Sequence, residues 1–339
     1  MCEQQEAMLG YWIRRFLLEY MVTVRNCSRM TRQSYRDTYR MLLLHVSGRC
    51  GKSVDALTVE DVSSECVLSF LEGVEQVRKC SVRTRNQRLA AVFSLAKYIS
   101  TQSPAHVEWC RTLKAIPFKK TTTGQITYLS RDEMEAIVSL PDQSTEQGLR
   151  DRVLLLFLYN TGVRADEAAR LKVRDVKFGS RREDMSIVNI LGKGGKRRQC
   201  PLWKRTADEV RSMIGARSED SPLFVNRQGK SIPRFGIYEL VVKYSMKASE
   251  RFPSIKEKRP SPHTIRHTTA THLLQAGVDI NTVRAWLGHS SLESTNIYAE
   301  IDMDTKIAAL EKCLPVKGRK RSRHWRDDQK LMAFLDGIR

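Results

Sequence analysis

Ser261-Pro262-His263-Thr264-Ile265-Arg266-His267 decides how the second half of this chain is read. Serine is a good N-cap and proline is favoured at the first helical position, so the stretch opens a helix, predicted over 262–275. His263 then stands in the first turn, where unpaired N–H groups and the helix dipole attract an anion. At helical spacing His263 and Arg266 share a face with Ala270, Leu273 and Leu274, which points an imidazole and a guanidinium along the apolar side. A guanidinium there needs an anionic partner, and an internal carboxylate is the plain way to supply one.

Working outward, helices are predicted at 130–140, 148–160, 164–171, 203–215, 234–249, 279–287 and 291–298. Ser130 and Glu133 form a capping-box signature. Met185 to Leu191 is β-branched and apolar, and Gly192-Lys193-Gly194-Gly195-Lys196 is a turn into a second short strand around Arg198 to Leu202. Thr161-Gly162-Val163-Arg164-Ala165-Asp166-Glu167 breaks an apolar helix at glycine and places Arg164 and Glu167 three apart, close enough to pair.

Upstream, Leu9, Trp12, Ile13, Phe16, Leu17 and Tyr20 recur at helical spacing. So do Tyr35, Tyr39, Leu42, Leu43 and Val46, then Val62, Cys66, Phe70 and Leu71, then Leu89, Val92, Phe93 and Ala96. Four amphipathic helices predict a small bundle. Periodicity is lost from Ser103 to Thr127, where Pro104, Pro117 and Thr121-Thr122-Thr123-Gly124 read as a linker. The expected organisation is a helical domain over 1–103, a linker over 104–127, a mainly α domain with a small antiparallel sheet over 128–315, and a basic, amphipathic tail over 316–339.

The chain has 339 residues, with 58 Lys+Arg against 38 Asp+Glu, a net charge of +20. Such an excess favours a polyanionic partner such as nucleic acid over an acidic substrate or a membrane surface. Two basic stripes sharpen this: Arg32, Arg36 and Arg40 on the second helix, and Arg83, Arg85 and Arg88 at the start of the fourth. Like charges on one face repel unless an anion lies along them, although a solvated basic surface is the plainer reading of either stripe. The longest wholly apolar run, Val153 to Tyr159, is too short to span a bilayer, so no membrane passage is expected. Eight cysteines (2, 27, 50, 66, 80, 110, 200, 313) show no CxxC spacing, and the first residues are acidic where a secretory signal is basic. A cytoplasmic compartment is the expectation, with neither disulfide framework nor cysteine metal site.

His263, His267 and His272 invite a metal reading, but Thr264 follows the first histidine where HExxH requires glutamate. The glycine-rich turn lacks GxxxxGK[ST] spacing, so no nucleotide cradle is expected there. Asp279 to Tyr298, with Gly288 at its break, also reads as a helix-turn-helix of a non-catalytic transcription factor.

Taken together, TGVRADE, GKGGK in a strand turn, HTIR, LGH at 287–289 and Tyr298 resemble in order and spacing the tyrosine recombinase (phage integrase) family, over about residues 125–315 and more loosely over the first bundle. The resemblance implies a two-domain DNA clamp that breaks and rejoins duplex DNA at specific sites through a 3′-phosphotyrosyl intermediate, with no cofactor. It implies Tyr298 as nucleophile, Arg164, Lys193, His263, Arg266 and His289 as the activating set, and Glu167 as a supporting acid. Four subunits would synapse two duplexes, with the tail docking on a neighbour or on its own domain. The chemistry agrees with these residue types. Guanidinium forks match the charge that builds on a phosphoryl transition state, and a phenol of pKa near 10 needs a base and a cationic site. His263, kept neutral, is a candidate base, and a lysine on the Gly-rich turn can protonate the leaving 5′ oxygen; Lys193 and Lys196 both remain open. A type IB topoisomerase shares this chemistry and is the enzymatic alternative.

Overall fold

The computed structural model describes residues 7–121, 126–179, 184–288 and 329–337. Two compact units divide at Gly124 and Gln125. The chain is mainly helical with one small antiparallel sheet.

The first unit holds α1 (Leu9–Arg15), which runs on as a π-helical stretch Phe16–Val24, then α2 (Arg29–Cys50), α3 (Ser64–Gln76), α4 (Val82–Gln102) and α5 (Val107–Lys114). Ser28, Ser63 and Ser81 cap α2, α3 and α4 by accepting from Thr31, Cys66 and Thr84 N–H. Trp12, Phe16, Tyr39, Leu42, Leu71 and Leu89 bury completely, and the Tyr39 hydroxyl donates to the Ala91 carbonyl at 2.9 Å, tying α2 to α4.

The expected linker begins too early. Val107–Lys114 is helical, and Cys110, Leu113 and Ile116 are buried in the bundle core, while the Trp109 indole donates to the Val62 carbonyl at 2.9 Å. Eight residues make little more than two turns, too short a window for periodicity to announce a helix; packing against the other four helices supplies the burial that holds it.

The second unit holds α6 (Arg131–Ser139), α7 (Glu146–Thr161), α8 (Ala165–Arg170), β1 (Val176–Lys177), β2 (Ile187–Leu191), β3 (Arg197–Pro201), α9 (Lys204–Ile214), α10 (Arg234–Ala248), α11 (Ser254–Lys258), α12 (Pro262–Gln275), α13 (Ile280–Leu287) and α14 (Gln329–Asp336). The sheet has order β1-β2-β3, with Ile190 opposite Arg198 and Val188 opposite Cys200. The two-residue β1 gives no sequence signal, being too short for alternation.

The run Val153 to Leu158 is buried all round, which makes α7 the central helix of this unit. Phe157, Ile190, Val210, Ile237, Val241 and Ile265 pack into the same core. Among the described residues no helix is long and apolar enough to cross a membrane.

Candidate active site

Two left-handed glycines bring the site together. Gly162 ends α7 at φ +58°, and Gly288 ends α13 at φ +66°. A Cβ on Gly162 would lie 2.5 Å from Leu287 Cδ2, so a larger residue at this positive φ would have to push the Leu287 side chain aside.

Arg266, on α12, fills the space between them and is 2% exposed. Its Nη1 donates to the Gly162 carbonyl at 2.6 Å and its Nη2 to the Leu287 carbonyl at 2.7 Å. The partners of this guanidinium thus include backbone carbonyls at two helix ends, where the sequence suggested a carboxylate. Carbonyls at helix C-termini carry partial negative charge and suit a cation.

Arg164 stands at the N-cap of α8, just after Gly162-Val163. Its Nη1 donates to Glu167 Oε1 at 2.9 Å, and its backbone N–H donates to Oε2 at 3.2 Å. Glu167 is 4% exposed and has a second cation: Arg198 Nη2 on β3 donates to Oε2 at 2.7 Å. Burial pushes the Glu167 carboxyl up, but the Arg198 and Arg164 contacts prevail and hold it below the usual carboxylate range. Sequence reading passed over Arg198. Its signal was an arginine at the inward position of a short strand, two residues before buried Cys200.

His263 divides from Arg266 along α12, reaching the surface while the guanidinium is buried. Desolvation by its surroundings, with the charges of Arg266, Arg164 and Arg234, holds its pKa below the ordinary imidazole range. It is therefore neutral near pH 7, the form that accepts a proton. His267 is pushed down to about 4 by burial and by His263 and Arg266. His272 bonds instead to the Tyr159 hydroxyl at 2.7 Å. Among the described residues no group of three His, Cys, Asp or Glu side chains is placed to hold a metal ion.

A cleft of about 730 Å³ opens beside Arg164. Its walls include Arg164, Lys196, Arg197, Arg198 and Arg284, together with Asn281 and Thr282, and among the described residues they include no carboxylate. Lys193 begins the turn Lys193–Gly195. His289, Tyr298, the helix expected over 291–298 and the basic run 317–323 lie outside the described residues.

The sequence model of the phage integrase family matches residues 127–305, more than half of the chain. This chain belongs to the phage integrase family. The integrase is 35% identical over 336 residues to y4rC of Sinorhizobium fredii, which is named an integrase/recombinase, covering 98% of this chain and 99% of that one. It is 36% identical over 222 residues to tyrosine recombinase XerD of Staphylococcus epidermidis, covering 61% and 72%. Tyrosine recombinase XerC of Pelobacter propionicus is 29% identical across 89% of this integrase and 95% of its own length. The enzyme class is thus tyrosine-type site-specific recombinase. The fold matches the integrase of transposon Tn1549 in complex with transposon right end DNA, with TM-score 0.67, 17% identity and coverage of 89% and 99%. It also matches XerH recombinase bound to difH, with TM-score 0.65, 20% identity and coverage of 88% and 94%.

In the first unit the arginine stripes differ in their use. Arg36 and Arg40 are exposed on α2, and Arg83 is exposed on α4, while Arg32 is half-buried. Arg85 is 3% exposed, with Nη1 donating to the Pro117 carbonyl at 3.0 Å. Half-buried Arg88 donates to the Ser34 carbonyl and to the Thr38 hydroxyl. Arg85 and Arg88 therefore hold helices and the following strap together, a use that linear charge counting does not reveal.

Proposed function

We propose that this integrase cleaves and rejoins duplex DNA through a 3′-phosphotyrosyl bond at Tyr298, with neither metal nor ATP. The observation that carries the reading is the cleft beside Arg164, walled by five basic side chains and, among the described residues, by no acid. Such a wall fits a polyanion, and a phosphodiester is one.

In the cleavage step the Tyr298 oxygen bonds to the scissile phosphorus, and the bond to the 5′ oxygen breaks. The phenolic proton goes to a base, for which neutral His263 is the candidate, and the leaving oxygen takes a proton from Lys193 or Lys196. Arg164 and Arg266 lie close enough to His263 to lower its proton affinity, so the base and the cations serve one site. Negative charge growing on the non-bridging oxygens meets guanidinium groups already fixed by Glu167 and by backbone carbonyls. Positive charge held in place by the protein does the neutralising that a metal ion would otherwise do. His289, which follows Gly288 in sequence, adds a donor. Since one phosphate ester replaces another, no ATP is consumed, and the reverse attack by a 5′ hydroxyl reseals the strand. Four subunits on two duplexes exchange strand pairs, and Arg32, Arg36, Arg40 and Arg83 contact phosphates from the first unit, with Arg85 and Arg88 behind them.

The test uses the full chain and a pool of nicked duplexes with randomised sequence, in which the nick lets the cleaved end diffuse away. Wild type forms a covalent adduct in the presence of EDTA, Tyr298→Phe forms none, and sequencing the trapped DNA reads out the site. Adducts on another side chain, cleavage that requires divalent ions, or binding that never yields an adduct would each refute the proposal.

A further inference from the structure

Arg198 is the side chain on which α8, the β2–β3 turn and the end of α13 converge. From β3 its Nη2 donates to Glu167 Oε2 at 2.7 Å and its Nε to the Trp286 carbonyl at 3.0 Å. Two glycines lie against it. A Cβ on Gly288 would stand 2.9 Å from Arg198 Cδ, and one on Gly192 would stand 3.4 Å from Arg198 Nη1 and 3.4 Å from Glu167 Oε1. Gly192 immediately precedes Lys193, and Gly288 immediately precedes His289.

We propose that Arg198 is a positioning residue for strand cleavage: its guanidinium ties α8 to the end of α13 beside the Lys193 turn, and it keeps Glu167 from cancelling the charge of Arg164. The inference rests on the recombinase reading above.

Geometry supports the first role. The Arg198 donors point to different elements, one to a carboxylate on α8 and one to a carbonyl on α13, and a planar fork spans both without rotating. A lysine ammonium is a single point and reaches one of them. Charge supports the second role. Glu167 divides its oxygens, giving Oε1 to the Arg164 side chain and Oε2 to Arg198 and the Arg164 backbone. With Arg198 present, two cations face one buried anion and an excess positive charge is left toward the cleft. Without it, Arg164 and Glu167 form a neutral pair, and the field on a bound phosphate weakens. The other groups around Glu167 are Cys200 of β3, whose thiol burial pushes up to about 11 and so keeps uncharged, and Arg266 of α12, whose charge lies close enough to Cys200 to lower it.

The experiment takes the full chain and the nicked duplex trapped with wild type, and measures thermal midpoint, DNA affinity and single-turnover adduct formation at saturating protein. Arg198→Lys is expected to fold and to bind DNA within about twofold, since most affinity comes from other phosphates, while forming adduct at least about tenfold more slowly. Arg198→Met should be slower still, and adding Glu167→Gln to it should restore part of the rate by freeing the charge of Arg164; a merely structural ion pair predicts no such recovery. If Arg198→Lys does not fold, Gly288→Ala decides, because its methyl displaces the same guanidinium. Adduct formation by the folded variant at the wild-type rate, slowing matched by lost affinity or lost folded fraction, or a double variant no faster than Arg198→Met would each overturn this role alone. No adduct with wild type would remove the recombinase reading and this role with it.

Discussion

Arg266→Lys is the perturbation whose size follows most directly from the geometry. The wild-type guanidinium donates to Gly162 and Leu287 carbonyls at 2.6 and 2.7 Å from a side chain 2% exposed. One ammonium cannot reach both helix ends along those directions, so one charge-assisted bond is lost, at about 1.5–3 kcal/mol. For a unit of this size each kcal/mol moves the thermal midpoint by about 2–4 °C, which predicts a fall of about 3–12 °C. Circular dichroism melting of the full chain measures it, and the change belongs to the transition of the second unit. Loosening the joint between α7 and α13 also moves Arg164 relative to Gly288, so adduct formation on a nicked duplex should fall by about 10² while binding changes little. A variant that melts with wild type would show that the carbonyl bonds do not clamp the site. Equal losses in binding and cleavage would show that the fork serves affinity rather than the transition state.

Histidine titration gives a second prediction. His267 binds its proton in the folded chain only near pH 4, against 6.5 for the ordinary imidazole, so the unfolded state takes up protons first as pH falls. Stability is therefore complete above about pH 6.5 and is lost toward pH 4, on the order of 3 kcal/mol in all, with His263 adding to it in the same direction. Urea midpoints taken from pH 7 down to about 5, above the carboxylate range, should fall less steeply for His267→Gln than for wild type, and parallel slopes would contradict the assignment. Gly288→Ala and Gly194→Ala both place alanine at positive φ, but among the described residues only the former meets a neighbour, Arg198 Cδ at 2.9 Å. The first should be less stable than the second by about 1–3 kcal/mol in equilibrium unfolding, and equal stability would mean that the Arg198 side chain yields freely. Arg83→Ala should reduce the slope of log affinity against log salt by about 0.9, whereas Arg85→Met should leave that slope unchanged and destabilise the first unit by about 1–3 kcal/mol. Opposite results in a salt titration and a melting curve would reverse the roles given to the two arginines.

Much of the local structure was legible because it depends on neighbours in sequence. Ser261-Pro262 fixed where α12 starts, Ser130 and Glu133 where α6 starts, and Gly162 and Gly288 where α7 and α13 stop, since caps and left-handed glycines act within one turn. The order of TGVRADE, GKGGK, HTIR and LGH was equally open to reading, and the pairing of Arg164 with Glu167 follows from their spacing alone.

What the tertiary structure decided is the use of each cation. Arg266 lies 104 positions from Gly162, and Arg198 lies 31 from Glu167 and 88 from Trp286. No periodicity reports such contacts, because they arise only when α7, β3, α12 and α13 pack together. The same holds for Arg85, whose place in a basic stripe pointed outward and whose guanidinium in fact closes over Pro117. Sequence carries a residue's charge and its face on one helix; whether that charge meets solvent, a carbonyl or a carboxylate depends on what the other elements bring to it.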